Sequence, residues 1–216
     1  FLKLVYILCM SEVKLHNIFP TTISQSNIGV DKNIKRHLIN EAYDFIYQNN
    51  VKNGSTTVNK YILNNKKYSS LTKKILDNLS NVIYDIYAID KNLKFFITNS
   101  WCVKHEKNDI AELHNHNNCI ISGVYYFQTP KDCGDIIFSR NTINNNVFSN
   151  TLTIPTKNNL DEWKLKVEEG TLLLFPSHLL HRTEPNLSNK SRYSLAFNVF
   201  FKGSIGNDID LNRLDI

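Results

Sequence analysis

The second half of the chain is a succession of short, strand-like runs, and this pattern constrains the fold more than any other feature. From about residue 93 onward, runs rich in β-branched and aromatic residues are separated by Asn, Asp, Gly or Pro. The runs are LKFFITNSWCV, AELHNH, CIISGVYYFQT, DIIFSR, NVFSNTLTI, EWKLKVEEGTLLLFP, HLLHRTEP and RYSLAFNVFFKG. Roughly eight short strands at this spacing predict an antiparallel jelly roll, also called a double-stranded β-helix, or a barrel.

Two amphipathic helices are predicted before the strands. The first covers residues 33–50 and the second residues 69–90, with Ser69 or Ser70 as the N-cap of the second helix. The apolar positions at helical spacing are Ile34, Leu38, Ala42, Phe45 and Ile46 in the first helix, and Leu71, Ile75, Leu79, Val82, Ile86 and Tyr87 in the second. Because the helices precede the strands instead of alternating with them, the order disfavours βαβ units.

Together these patterns predict a mainly β chain of the α+β class, with supporting helices on one face of the jelly roll. A length of 216 residues suits one domain. We expect this domain to span residues 10–203, with a helical layer over 10–92 and a jelly-roll core over 93–203. Residues 204–216 are expected to form a loosely held tail.

Composition restricts the compartment and the partners. The net charge is +5, but the lysines are scattered, which argues against a nucleic-acid partner. No apolar run approaches the roughly 18 to 20 residues of a membrane span. The four cysteines form no C-x-x-C pair, which favours a reduced, intracellular and cytoplasmic setting. Exposed strand edges are compatible with a homodimer.

The opening segment, FLKLVYILCM, stands apart from the rest of the chain. It begins with Phe and contains the only methionine, Met10, and no small-residue cleavage site follows it. We therefore expect residues 1–9 to be translated upstream sequence or a cloning remnant, and not a signal peptide.

The run AELHNH carries the first candidate functional residues. In a strand, a period of two places Glu112, His114 and His116 on the same face. Two imidazoles on one face can offer nitrogen ligands to one metal ion. Alone, the pattern is weak and is more often explained by two surface histidines in a polar loop.

A second candidate segment lies near the end of the chain. An apolar strand reaches a proline turn, His181 follows, and a later strand begins with Arg192. In a jelly roll, an early H-x-H strand and a late His strand can lie side by side. Arg192 would then point into the same cavity, where its planar fork of donors suits a carboxylate. His178 is expected at the rim of the site.

Taken in order, these motifs resemble the Fe(II)- and 2-oxoglutarate-dependent oxygenases over about residues 93–201. The matching residues are Trp101, His114 and His116, the run SGVYY at 122–126, the run FPS at 175–177, His181, Pro185, Arg192 and Ser194. The resemblance implies a dioxygenase, a hydroxylase that couples O2 and the decarboxylation of 2-oxoglutarate to substrate oxidation. It implies Fe(II), 2-oxoglutarate and O2 as cofactors, with ascorbate as an optional reductant.

The resemblance also implies roles for individual residues. His114 is the first iron ligand and His181 the distal one. Arg192, helped by Ser194, binds the C5 carboxylate of 2-oxoglutarate, and Tyr126 donates a hydrogen bond to the same carboxylate in preference to its neighbour Tyr125.

Alternation along the SGVYY strand assigns its cavity face. We expect Ser122, Val124 and Tyr126 to face the cavity, with Gly123 and Tyr125 on the opposite face. Ser122 is therefore included with Tyr126 among the residues that bind the co-substrate.

One position departs from the family pattern. The usual triad is two histidines and one carboxylate, written H-x-D, but here His116 stands in the Asp position. We favour a three-histidine site of His114, His116 and His181. One alternative starts the register at His116, with Asn118 in the carboxylate position and water at the open coordination position. The other uses Glu112 as a displaced carboxylate.

Two rival functions stay open. A cupin-type metal enzyme would explain GTLLLFPSHLLH, but the H-x-H run lacks the Glu that should follow it, and a cupin has no use for Arg-x-Ser. A catalytically silent jelly-roll binding module would explain the missing carboxylate. The substrate is open between a small molecule and a peptide. Trp101 is expected to be a core aromatic, and His16, His37 and His105 are expected to be surface or helix histidines.

Overall fold

The computed structural model describes residues 20–48, 51–140, 159–207 and 211–216, with the single positions 14, 154, 156 and 209. Residues 1–9 and most of the predicted strand NVFSNTLTI lie outside these described residues. Within the described part, no helix has the length and apolar character needed to cross a membrane.

Twelve strands and two α-helices form the described architecture. The helices are α1 (Lys32–Ile39) and α2 (Ser69–Ser80), with 3₁₀ turns at Ile62–Asn64 and Lys66–Tyr68 and a π-helical turn at Asn81–Ile86. The strands are β1 (Ser24–Asn27), β2 (Tyr43–Gln48), β3 (Val51–Thr57), β4 (Lys94–His105), β5 (Ile121–Gln128), β6 (Ile136–Ser139), β7 (Glu162–Leu165), β8 (Thr171–Pro176), β9 (Leu180–Thr183), β10 (Arg192–Lys202), β11 (Ser204–Ile205) and β12 (Leu214–Asp215).

Two antiparallel sheets make the jelly roll. The larger has seven strands in the order β1-β8-β5-β10-β4-β3-β2, and the smaller has the order β7-β6-β9. An apolar layer between the sheets includes Val124 and Tyr126 from β5, Phe138 from β6 and Phe175 from β8. Residues of α1 and α2 pack with the opposite face of the large sheet. The predicted double-stranded β-helix with helices on one face is confirmed.

The pairing of the central strands of the large sheet brings several polar residues side by side. Strand β10 lies between β4 and β5, with Arg192 opposite His105 and Ser194 opposite Tyr126. These residues lie on strands of the large sheet, in which every second side chain points between the two sheets. Three strands therefore deliver polar side chains to one internal face.

The first predicted helix is too long. It ends at Ile39, and the segment from Tyr43 to Gln48 forms strand β2, which pairs with β3. Ile34 and Leu38 are buried as expected, but Phe45 is 57% exposed. The aromatic residues of this segment suit an edge strand as well as the apolar face of a helix. The pairing of β2 with β3 selects the strand. The predicted helical layer over 10–92 is therefore wrong in part, since β1, β2 and β3 extend the large sheet.

The second predicted helix exists, but its apolar face changes direction near its end. Val82 and Ile83 are both buried, whereas Ile86 is 52% exposed. The amide of Tyr87 donates to the carbonyl of Val82, a five-residue step that widens the turn and shifts the side-chain phase. The expected serine cap is also wrong, because Tyr68 is the N-cap and makes no side-chain capping bond.

Candidate metal centre and adjoining cavity

The structure brings the three predicted histidines together. His114 and His181 exchange backbone hydrogen bonds of 3.0 and 2.9 Å, and the amide of His116 donates to the carbonyl of Ser177 at 3.0 Å. AELHNH is not a regular strand, because it pairs only through a single bridge at His114 and His181. The rings of His114 and His116 nevertheless lie on one side of the chain, stacked with their centroids 5.3 Å apart.

The imidazoles form one compact group. One ring nitrogen from each of His114, His116 and His181 can be chosen such that all three lie within 4.8 Å of one another. The ring centroids of His114 and His181 are 4.3 Å apart, and those of His116 and His181 are 5.1 Å apart. One metal ion could therefore contact all three rings.

Hydrogen bonds to the other ring nitrogens set the tautomers. Nδ1 of His114 lies 2.7 Å from the carbonyl oxygen of Glu112, and Nδ1 of His181 lies 2.9 Å from that of Leu179. Nδ1 of His116 lies 2.6 Å from Oδ1 of Asn198. Because these oxygens only accept, each Nδ1 carries the proton, and each Nε2 keeps a lone pair. This arrangement is common for metal-binding histidines.

Burial keeps two of these rings neutral. Desolvation, together with the charge on His114, lowers the pKa of His181 to about 3. Desolvation also lowers the pKa of His116, although the bond to Asn198 acts in the opposite direction. Neutral imidazoles are the form that binds metals. His116 and His181 are therefore in their ligand form at neutral pH.

The residues of the alternative ligand sets, and His178 at the expected rim, lie outside this group. Glu112 contributes only its backbone carbonyl to His114, and its carboxylate is not part of the group. Asn118 is exposed, with its backbone in the left-handed region at a φ of 57°. His178 is exposed. Among the described His, Cys, Asp and Glu side chains, only the three histidines come close enough to share an ion.

A buried polar network supports His116. Oδ1 of Asn198 accepts from His116 and also from the hydroxyl of Ser122 at 3.0 Å, and that hydroxyl lies 2.9 Å from the hydroxyl of Ser177. The structure thus places Ser122 beneath His116 and not on the cavity surface. Asn198 was not predicted, although a lone Asn in the apolar run RYSLAFNVFF is a signal that could have identified it.

A cavity of about 100 Å³ adjoins the histidines. Tyr126, Arg192 and Ser194 line it together with the three imidazoles. Tyr125 points the other way, and its hydroxyl donates to the carbonyl of Gly29 at 2.8 Å. Burial raises the pKa of Tyr126 to about 12 against the opposing charge of Arg192, so its phenol keeps a proton to donate.

Arg192 is the cationic group of this cavity. Its side chain is almost fully buried, and Nη1 donates to the carbonyls of Cys133 and Gly134, each at 3.1 Å. Nη2 contacts Nδ1 of His105. No acidic side chain of the described residues lines the cavity. A buried guanidinium with no acidic side chain beside it on the cavity wall favours an anionic ligand.

Two aromatic residues were assigned incorrectly from the sequence. Trp101 is half-buried on the cavity wall, and its ring centroid lies 5.9 Å from that of His116, so it is not simply a core residue. His105 was expected at the surface but is 3% exposed. Period-two alternation on β4 places both on the inner face, and this signal could have revealed them.

Comparisons with known proteins agree with this geometry. Residues 99–198 match the model of the family described as "Putative 2OG-Fe(II) oxygenase". The matched segment contains the three histidines, Arg192, Ser194 and Asn198. No curated protein sequence matches the chain.

Several solved structures share the fold. An oxidoreductase of the 2OG-Fe(II) oxygenase family from Burkholderia pseudomallei is 10% identical, with a TM-score of 0.55 over 82% of this chain and 84% of that chain. HygX from Streptomyces hygroscopicus, with nickel, 2-oxoglutarate and hygromycin B bound, is 13% identical, with a TM-score of 0.55 over 83% and 82%. A Pseudomonas putida prolyl-4-hydroxylase is 14% identical, with a TM-score of 0.55 over 82% and 92%.

At these identities the solved structures establish the fold alone, and the family match covers residues 99–198, the segment that contains the site. The family consists of oxidoreductases that use Fe(II), 2-oxoglutarate and O2. Residues 99–198 thus match the family of putative Fe(II)- and 2-oxoglutarate-dependent oxygenases, and the described chain shares the fold of solved structures from that family.

Proposed function

We propose that this oxygenase holds Fe(II) with His114, His116 and His181 and binds the C5 carboxylate of 2-oxoglutarate with Arg192. The observation that carries the proposal is the grouping of three imidazoles, each with Nδ1 bonded to an oxygen and Nε2 left for a metal. Imidazole nitrogen suits iron, and also zinc, copper and nickel. The donor set thus fits the metal that the family uses.

When bound, Fe(II) would supply the chemistry that converts 2-oxoglutarate and O2 to succinate and CO2 while one oxygen atom is added to the substrate. The protein supports that reaction by positioning and by electrostatics. Arg192 holds the distal carboxylate, and Tyr126 and Ser194 offer hydroxyl groups on the same wall. Val124, Phe175 and Ile136 provide apolar walls that exclude water.

The charge of the cavity favours a dianionic co-substrate. Arg192 contributes one positive charge. Three imidazole ligands, which are neutral when they bind a metal, would leave the full charge of a divalent ion, because no carboxylate ligand reduces it. The 2-oxoglutarate dianion carries one carboxylate at each end, so it can pair with the metal ion at one end and with Arg192 at the other. A triad with aspartate would present one positive charge fewer.

We propose that the substrate, a small molecule or a peptide side chain, reaches the site beside His114. His114 is the most exposed of the three histidines, while His181 is buried. A reducing, intracellular setting agrees with the free thiols of Cys102, Cys119 and Cys133.

Succinate formation tests this function. Purified protein is incubated with Fe(II), ascorbate, O2 and 2-oxoglutarate, and succinate is quantified with and without candidate substrates. We expect wild type to release succinate slowly even without substrate. His181→Ala should release none, and Arg192→Ala should need a much higher concentration of 2-oxoglutarate. His178→Ala is the matched control and should behave as wild type, because His178 lies outside the group.

Two outcomes would refute the proposal. A folded, iron-loaded wild type that never forms succinate would favour the silent binding module. Oxygen consumption that is independent of 2-oxoglutarate would favour a cupin-type enzyme.

A further inference from the structure

Arg192 is held by three neutral acceptors. The carbonyls of Cys133 and Gly134 accept from Nη1, and Nδ1 of His105 lies against Nη2. Among the described residues, no carboxylate forms a salt bridge with it. A guanidinium has five N–H donors, so one donor on Nη2 and the donor on Nε are left for a ligand.

His105 reaches Arg192 because of the strand register. Arg192 lies directly opposite His105 on the neighbouring strand, and Gly54 lies against the His105 ring. A Cβ atom at position 54 would lie 2.6 Å from the carbonyl oxygen of Lys104 and would also collide with the His105 ring, and the φ of Gly54 is +83°. A glycine is therefore required for the ring to occupy this place.

The opposite flank of Arg192 depends on a second glycine. Gly134, whose carbonyl accepts from Nη1, has a φ of +77°, and a Cβ there would lie 2.7 Å from the carbonyl oxygen of Glu184. The guanidinium is thus enclosed on both sides by tightly packed backbone. This packing orients a cation that forms no salt bridge with an acidic side chain of the described residues.

We propose that His105 is a positioning residue for the co-substrate: it is a neutral acceptor that orients the Arg192 guanidinium without cancelling its charge. The proposal rests on the proposed function, in which Arg192 binds the C5 carboxylate of 2-oxoglutarate. An aspartate at position 105 would orient Arg192 equally well but would compete with the ligand for its charge. A histidine that stays neutral avoids this competition.

The ionisation behaviour of His105 agrees with this role. Burial and the neighbouring Arg192 charge lower the pKa of His105 to about 3, and the Asn53 backbone opposes this shift. Since Arg192 only donates, Nδ1 must be the accepting nitrogen, and the proton resides on Nε2.

Three substitutions separate orientation from charge. 2-Oxoglutarate is titrated calorimetrically into anaerobic, Fe(II)-loaded wild type, His105→Asn, His105→Leu and His105→Asp, with circular dichroism as the folding control. His105→Asn keeps an uncharged acceptor and should bind within about threefold of wild type. His105→Leu should bind about tenfold more weakly or worse, as expected for a lost hydrogen bond to a charged group. His105→Asp should also bind at least about tenfold more weakly, because it neutralises Arg192.

A second ligand distinguishes positioning from general damage. 2-Oxopentanoate has a methyl group in place of the C5 carboxylate, so it cannot use Arg192 as an anion partner. We expect wild type to prefer 2-oxoglutarate strongly and His105→Leu to lose most of that preference, while its affinity for 2-oxopentanoate is unchanged. In turnover, the KM for 2-oxoglutarate should rise while kcat at saturation changes little.

The inference is overturned if His105→Leu or His105→Asp binds 2-oxoglutarate as tightly as wild type, or if both ligands weaken equally. If His105→Leu does not fold, the comparison of His105→Asn with His105→Asp decides alone. Wild type that binds no 2-oxoglutarate would instead refute the proposed function, and the orienting role with it.

Discussion

Replacing Asn198 with alanine should weaken metal binding although Asn198 touches no metal. Its Oδ1 is the acceptor for Nδ1 of His116 at 2.6 Å and for the hydroxyl of Ser122 at 3.0 Å. Asn198 is only 8% exposed. In Asn198→Ala, the imidazole of His116 loses the bond that fixes its tautomer and its orientation.

The expected size of this effect follows from the nature of that bond. Removing a partner that orients a metal-binding histidine typically costs about 10- to 100-fold in metal affinity, which corresponds to about 1.4–2.7 kcal/mol. A buried donor left without an acceptor costs about 1–3 kcal/mol of folding stability. Asn198→Ala should therefore lower both metal affinity and the metal-free melting temperature, whereas Asn198→Asp keeps the acceptor and should retain metal.

Anaerobic competition with a chromophoric chelator measures the Fe(II) dissociation constant, and calorimetry measures the melting temperature. Asn99→Ala is the matched control, because Asn99 lies opposite Asn198 in the register while its Oδ1 accepts from Thr98. An Asn198→Ala protein that binds Fe(II) within twofold of wild type would refute the role assigned to this network.

Three further predictions concern acid stability, packing and the cavity wall. Since the pKa of His105 is lowered to about 3 from about 6.5 in an unfolded chain, only the unfolded state gains this proton as the pH falls between these values. As the pH is lowered from 6 to 4, the free energy of unfolding should therefore fall by about 1 kcal/mol per pH unit more in wild type than in His105→Asn. Chemical denaturation at pH 6 and pH 4 would contradict this if both proteins lost the same amount of stability. Gly123→Ala should destabilise the fold by about 1–3 kcal/mol, because the added Cβ would lie 2.7 Å from Cε1 of Phe197. An unchanged denaturation midpoint would refute this tight packing. Tyr126→Phe should raise the KM for 2-oxoglutarate several-fold through the loss of one hydrogen bond, whereas Tyr125→Phe should leave this KM unchanged. Equal KM values for the two variants would contradict the placement of Tyr126 on the cavity face.

The strands and the histidine group could be predicted from sequence because both depend on local periodicity and on the order of a few motifs. Alternation along β5 separated Tyr126 from Tyr125, and the structure has them on opposite sides of the sheet. His114, His116 and His181 were named from their order in the chain, and the fold brings them together.

The errors arose where distant parts of the chain decide the outcome. Phe45 fits a helical stripe and a strand equally well, and only the pairing of β2 with β3 selects the strand. The turn at Asn81–Ile86 shifts the apolar phase of its helix in a way that a fixed helical period does not anticipate.

Supporting residues were missed for the same reason. Asn198 and His105 act through partners that are 82 and 87 positions away in sequence. Their roles depend on the register between β10 and its neighbours. A single sequence identifies such residues as polar positions in apolar strands, but it does not identify their partners.

The number of imidazoles on the metal tests the three-histidine site most directly. A histidine that binds a paramagnetic ion through Nε2 shows one strongly shifted, exchangeable proton NMR signal from its Nδ1–H group. Protein loaded with Co(II) or Fe(II) should show three such signals, all lost in D2O, and His116→Ala should lack one of them. Two signals in wild type, both retained in His116→Ala, would contradict a site built from His114, His116 and His181.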